Sequence, residues 1–110
     1  MSTTLGKNAP DGAQEITLAT TLRPSPEVLF RELSGESVLL DLKSQQYFGL
    51  NKVGTRIWQL VAEHGTLSAV IDALVAEYDV EPDRLRQDVL KLSQELIERG
   101  MVTVETAAQP

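Results

Sequence analysis

The apolar residues of this chain change their spacing at Asn51, and that change restricts the chain to a fold with both strands and helices. Before Asn51, segments 28–33, 37–42 and 46–50 are rich in β-forming and alternating apolar residues, as half-buried strands are. Beyond Asn51, apolar residues recur every third or fourth position, which places them on one face of a helix. Strands followed by helices within 110 residues predict one domain of the α+β class.

Three helices are predicted after the strands, and each has recognisable ends. Asn51 is a suitable N-cap for the first helix, and Thr66 for the second. Pro82 fits the first turn of the third helix, which ends at Gly100 and is followed by a short strand at 101–104. The expected fold is therefore a three-stranded antiparallel sheet followed by three helices, with a helical part that resembles a winged helix-turn-helix.

The two ends of the chain lack this periodicity. Residues 1–24 hold two glycines, two prolines and a run of threonines, so we expect a flexible N-terminal tail with one short extended piece at 15–18. The ordered domain is expected to span residues 25–104. Residues 105–110 are expected to form a C-terminal tail.

The sequence offers little for catalysis or metal binding. Cysteine is absent, which excludes disulfides, thiolate metal sites and cysteine nucleophiles. The one histidine, His64, precedes Gly65 at a predicted helix end, where a surface or capping role is expected. Carboxylates are scattered along the solvent faces of helices. We therefore predict no catalytic residue, no metal ligand and no cofactor, and we interpret the chain as a non-enzyme.

Charge argues against nucleic acid and membrane partners. Sixteen acidic residues against ten basic ones give a net charge of −6. In the third helix, residues 81–99 hold five acids and four bases, a poor balance for neutralising phosphates. The start of the chain lacks the apolar core of a signal peptide, and no apolar run approaches the ~20 residues of a membrane span. A cytoplasmic protein is the expectation, and a winged-helix DNA-binding regulator is kept as an alternative function.

The third strand is the best candidate for a binding edge. It contains no proline and no charge to prevent pairing, so an extended peptide could add to it as a further strand. The predicted peptide-binding residues of this strand are Gln46, Tyr47, Phe48, Gly49 and Leu50. The same edge could instead pair two copies of the chain, so both a monomer and a structural homodimer remain open.

The third helix carries a second stripe, about 100° round from its core-facing residues Leu85, Val89, Leu92 and Leu96. This second stripe consists of Arg86, Leu90, Ser93 and Ile97. Its two apolar members either widen the core face or line a shallow groove, in which the arginine would anchor an acidic group.

Three runs of sequence resemble the PqqD-like family, whose founding member is coenzyme PQQ synthesis protein D. They are Val38-Leu39-Leu40-Asp41-Leu42, Gln46-Tyr47-Phe48-Gly49-Leu50-Asn51 and Val53-Gly54-Thr55-Arg56-Ile57-Trp58. Later runs agree, at 77–80, 88–89 and 96–100, so that the resemblance covers roughly residues 24–104.

This resemblance implies a recognition element for ribosomally made, post-translationally modified peptides. It implies a non-catalytic peptide chaperone whose precursor peptide adds its leader segment to the third strand, 46–50, and lies against the third helix at Arg86, Leu90, Ser93 and Ile97. The run Tyr47-Phe48-Gly49-Leu50-Asn51 is more similar to leader-binding proteins of lasso-peptide and related clusters than to the founding protein. Members in PQQ synthesis imply a radical SAM enzyme as partner, and lasso-type members imply a leader peptidase.

Overall fold

The computed structural model describes residues 16–105. This part of the chain contains five strands and three helices, joined by turns and loops. In chain order they are β1 Thr21–Pro24, β2 Val28–Leu33, β3 Glu36–Asp41, β4 Gln46–Leu50, α1 Lys52–His64, α2 Leu67–Glu77, α3 Pro82–Glu98 and β5 Val102–Glu105. The predicted α+β class, with a three-stranded antiparallel sheet before three helices, is confirmed.

The three-stranded sheet has the strand order β2-β3-β4 and turns one face towards the helices. Leu39 pairs with Phe30 on one side and Phe48 on the other, and it is fully buried on the inner face. The Phe30 ring stacks on Trp58 of α1, with ring centroids 6.4 Å apart. Since side chains alternate across a strand, Val38 and Tyr47 point to the outer face, where both are exposed. The inner face thus joins the core and the outer face meets solvent.

The junction between β4 and α1 is fixed by Asn51, as predicted from its capping propensity. The Gly54 amide donates a hydrogen bond of 2.8 Å to Asn51 Oδ1, which satisfies one of the free amides of the first helical turn. A Cβ atom at Gly54 would lie only 3.2 Å from Leu50 Cδ2. The glycine therefore lets the end of β4 pack tightly against the start of the helix.

Asn51→Ala is expected to lower the free energy of unfolding by ~1 kcal/mol, because the Gly54 amide loses its acceptor. Chemical denaturation followed by circular dichroism measures this change. Asn51→Asp, which keeps a side-chain oxygen at the cap, serves as the control and should retain most of the stability. Equal losses for the two variants would show that the cap is not the cause.

A buried hydrogen bond ties the sheet to α1. Ser37 Oγ of β3 and Thr55 Oγ1 of α1 are 2.7 Å apart, and both residues are buried. The Thr55 hydroxyl also lies 3.4 Å from the carbonyl oxygen of Leu50. Buried hydroxyls need such partners, since an unsatisfied one costs about 1–3 kcal/mol. This bond helps to hold the β3–β4 hairpin at a fixed position on the helix.

Residues 21–24 form a strand, which corrects their assignment to an N-terminal tail. β1 pairs with β5 in an antiparallel register from Thr21 opposite Glu105 to Pro24 opposite Val102. Leu22 is 1% exposed and belongs to the core. The folded domain also extends beyond its expected end at residue 104, because Glu105 is the last residue of β5 and forms an ion pair with Arg23. The rest of the predicted tails, 1–15 and 106–110, lies outside the described residues.

The segment before and within β1 also fills the space beside the α1–α2 loop. The Leu22 amide donates to the Gly65 carbonyl at 2.9 Å, and the Leu67 amide donates to the Thr20 carbonyl at 3.0 Å. Thr66 is the N-cap residue of α2, as predicted, but its side chain makes no capping bond; its hydroxyl lies 3.2 Å from that of Thr21. Residues 17–20 form a turn in place of the predicted extended piece.

Candidate functional site

A cleft of about 400 Å³ lies between β4, the first turns of α1 and one side of α3. We call it the β4–α3 cleft. Its lining residues are Phe48, Gly49, Leu50, Asn51, Val53, Gly54, Ile57, Asp88, Leu92 and Glu95. Its floor is formed by apolar side chains of β4 and α1, and its charged side chains lie on α3.

One edge of β4 faces no other strand. Among residues 16–105, β4 pairs only with β3, in the register from Ser37 opposite Leu50 to Asp41 opposite Gln46. Along the other edge of an antiparallel strand, alternate residues direct their N–H and C=O groups outward without a strand partner. The predicted open edge at 46–50 is therefore present, and it borders the β4–α3 cleft.

The side chains of β4 divide between two surfaces. Phe48 and Leu50 point inward, and together with the backbone of Gly49 they contribute to the cleft. Tyr47 lies on the outer face of the sheet and is 73% exposed, and Gln46 is exposed at the start of the strand. Of the five peptide-binding residues predicted on β4, Phe48, Gly49 and Leu50 line the cleft, and Gln46 and Tyr47 do not.

The predicted stripe on α3 does not line the cleft. Ser93 is fully buried, and its hydroxyl has no hydrogen-bond partner among the described residues. Leu90 and Ile97 are partly buried and pack against the core, so these two widen the core face. Arg86 donates to Asp83, one turn earlier on its own helix, instead of reaching an acidic group in a groove.

The helix side of the cleft is formed by three residues that the sequence interpretation did not assign to it: Asp88, Leu92 and Glu95. With successive residues about 100° apart, they lie on one flank of the buried line through Leu85, Val89 and Leu96, and the predicted stripe lies on the other flank. The sequence does contain one clue to this wall. Leu92 is apolar and has a carboxylate four residues before it, at Asp88, and another three residues after it, at Glu95.

Arg99, just beyond the end of α3, contacts the Phe48 ring outside the lining of the cleft. Its guanidinium carbon lies 5.1 Å from the centroid of the Phe48 ring, within the range of a cation–π contact. This contact connects the end of α3 to β4 and holds the Phe48 side chain against the helix. The cleft is thus bounded by packed side chains that belong to three different elements.

Within residues 16–105, no group of three or more His, Cys, Asp or Glu residues lies close enough together to hold a metal ion. None of the helices in that range has the length and apolar character needed to cross a bilayer.

Comparison with known proteins connects this fold to peptide binding. The family model of Coenzyme PQQ synthesis protein D (PqqD) matches residues 36–102. A solved structure of TbiB1 in complex with the TbiA(beta) leader peptide is 32% identical, with a TM-score of 0.68 over 79% of this chain and 99% of that chain. A lasso peptide synthetase B1 complexed with the leader peptide is 30% identical, with a TM-score of 0.67 over 76% and 98%. No curated protein matches the chain.

Proposed function

Because this chain belongs to the PqqD family, we propose that it binds the leader segment of a ribosomally made precursor peptide and presents it to a processing enzyme. The observation that carries the proposal is the β4–α3 cleft, where an unpaired strand edge borders an apolar floor. Two solved structures that are similar over most of this chain were determined with leader peptides.

The proposed binding mode is strand addition at β4. A peptide that extends along residues 46–50 satisfies the outward N–H and C=O groups of the edge, and these main-chain bonds supply affinity for an extended segment. Its inward side chains enter the cleft between Phe48 and Leu92, where apolar contact supplies selectivity. We place the helix wall at Asp88, Leu92 and Glu95 in preference to the stripe that contains Leu90 and Ile97.

The chain acts in this proposal as a binding module that carries out no chemical step. The lining of the cleft contains no serine, threonine, tyrosine, cysteine, histidine or lysine, so no hydroxyl, thiol, imidazole or amine of the described residues faces the peptide. Its charged groups are two carboxylates that flank Leu92 on the helix. Such a surface suits recognition of a side chain better than bond cleavage.

We further propose a lasso-peptide or related pathway, with a leader peptidase as the enzyme partner. One of the similar solved structures is a lasso peptide synthetase B1, which favours this pathway over PQQ synthesis and its radical SAM enzyme. We propose that one copy of the chain binds one leader. The cytoplasm is the proposed compartment, because the precursor is made there by the ribosome.

An NMR titration tests the proposed function. The probe is a synthetic leader peptide from the precursor encoded beside this chain's gene, and a scrambled peptide of the same composition is the control. Amide shifts are expected at residues 46–50 and 88–95, together with slowed hydrogen exchange along β4. Shifts restricted to the opposite edge at β2, or equal binding of the scrambled peptide, would contradict the proposed site.

A further inference from the structure

The ionisable side chains that line the β4–α3 cleft are all acidic. Asp88 and Glu95 are the only ones among its described lining residues, and Leu92 lies between them on α3. The two acids are two helical turns apart, so their Cα atoms are separated by about 10 Å along the helix axis. The two carboxylates therefore lie on either side of the apolar centre of the helix wall.

Neither carboxylate is neutralised by a close ion pair within residues 16–105. Asp88 Oδ2 lies 4.0 Å from Arg84 Nε, and both side chains are more than half exposed, so the attraction is weak. Glu95 forms no ion pair with any described residue, and Arg99, one turn further on, contacts the Phe48 ring. The net negative charge of −6 on the whole chain adds to the local field.

We propose that the leader segment bound in the cleft carries a lysine or arginine side chain that lies along α3 between Asp88 and Glu95. This inference rests on the proposed function. A peptide added to β4 directs alternate side chains towards α3. A long cationic side chain can lay its methylene groups on Leu92 and place its charge within reach of both carboxylates. An acidic side chain at the same position is repelled, so the two carboxylates select for a basic leader residue.

Fluorescence anisotropy with a labelled synthetic leader peptide, again from the precursor encoded beside this gene, tests the inference. Asp88→Asn and Glu95→Gln are each expected to lower the affinity about threefold to fivefold, and the double variant about tenfold or more. Glu98→Gln is the matched control, an equivalent neutralisation at an exposed position of α3 outside the cleft, and it should leave the affinity unchanged. Raising NaCl from about 50 to 500 mM should weaken wild-type binding more than binding by the double variant.

A second arm locates the basic residue on the peptide. Each lysine or arginine of the leader is replaced by glutamine, and one replacement should lower wild-type affinity to the level of the double variant. Combining that peptide with the double variant should produce no further loss, which is the signature of a direct pair in a double-mutant cycle. Circular dichroism melts confirm that all variants fold.

The outcomes separate this inference from the function on which it rests. If the wild type binds the leader and the double variant binds it equally or more tightly, the carboxylates do not read a basic residue, although leader binding stands. Tight binding of a leader that contains no lysine or arginine would likewise contradict the proposed basic residue while leaving leader binding intact. If the wild type does not bind the leader at all, the proposed function and the inference fail together.

Discussion

Leu92→Ala is expected to weaken binding of the leader peptide by about tenfold or more. Leu92 is the one apolar side chain that α3 contributes to the β4–α3 cleft, between Asp88 and Glu95. The few residues that cost more than about 1 kcal/mol on truncation cluster at the centre of an interface, where Leu92 lies in the proposed mode, and about 1.4 kcal/mol corresponds to a factor of ten in affinity. Isothermal titration calorimetry with the synthetic leader peptide measures the change.

Leu90→Ala is the matched control for this prediction. Leu90 is also a partly buried leucine of α3 that packs against the core, but it lies on the flank away from the cleft. Both substitutions should therefore destabilise the fold by similar amounts, about 1–3 kcal/mol, and only Leu92→Ala should lower the affinity by a large factor. The reverse result would assign the helix wall to the stripe originally predicted from the sequence.

The edge of the site on β4 could be predicted from the sequence, whereas its wall on α3 could not. The bounds of β4 and its open edge follow from local signals: an uncharged strand without proline, followed by the Asn51 cap. Both belong to one short stretch of chain, so local sequence contains the information. The structure places this edge beside the β4–α3 cleft.

The helix wall could not be predicted in the same way. Both flanks of the core stripe on α3 carry apolar residues. A helical wheel therefore does not show which flank packs on neighbouring elements and which flank faces a cleft. Leu90 and Leu92 are equally apolar. The distinction depends on the position of β4 relative to α3, which is a property of tertiary packing across about forty residues of sequence. Only the assembled fold shows that Leu92 faces β4.

The first strand was missed for a related reason. Thr21–Pro24 is short, contains a proline and pairs with a strand about eighty residues later, so neither length nor alternation marks it. Proline is tolerated there because β1 pairs with β5 on one side only among the described residues, which makes it an edge strand. Its stability comes from β5 and from the α1–α2 loop, whose Gly65 carbonyl accepts the Leu22 amide. A strand stabilised mainly by distant partners is difficult to distinguish from a tail in the sequence alone.

Leu22→Ala is accordingly expected to lower the free energy of unfolding by about 2–5 kcal/mol, the usual cost of removing a fully buried leucine side chain. Leu33→Ala is the matched control, because Leu33 is also a strand leucine but is 81% exposed. Its substitution should change stability by no more than about 0.5 kcal/mol. Urea denaturation of both variants provides the comparison. Were residues 21–24 a tail, the two substitutions would have equally small effects; a large loss for Leu22→Ala alone would show that the folded domain begins before residue 25.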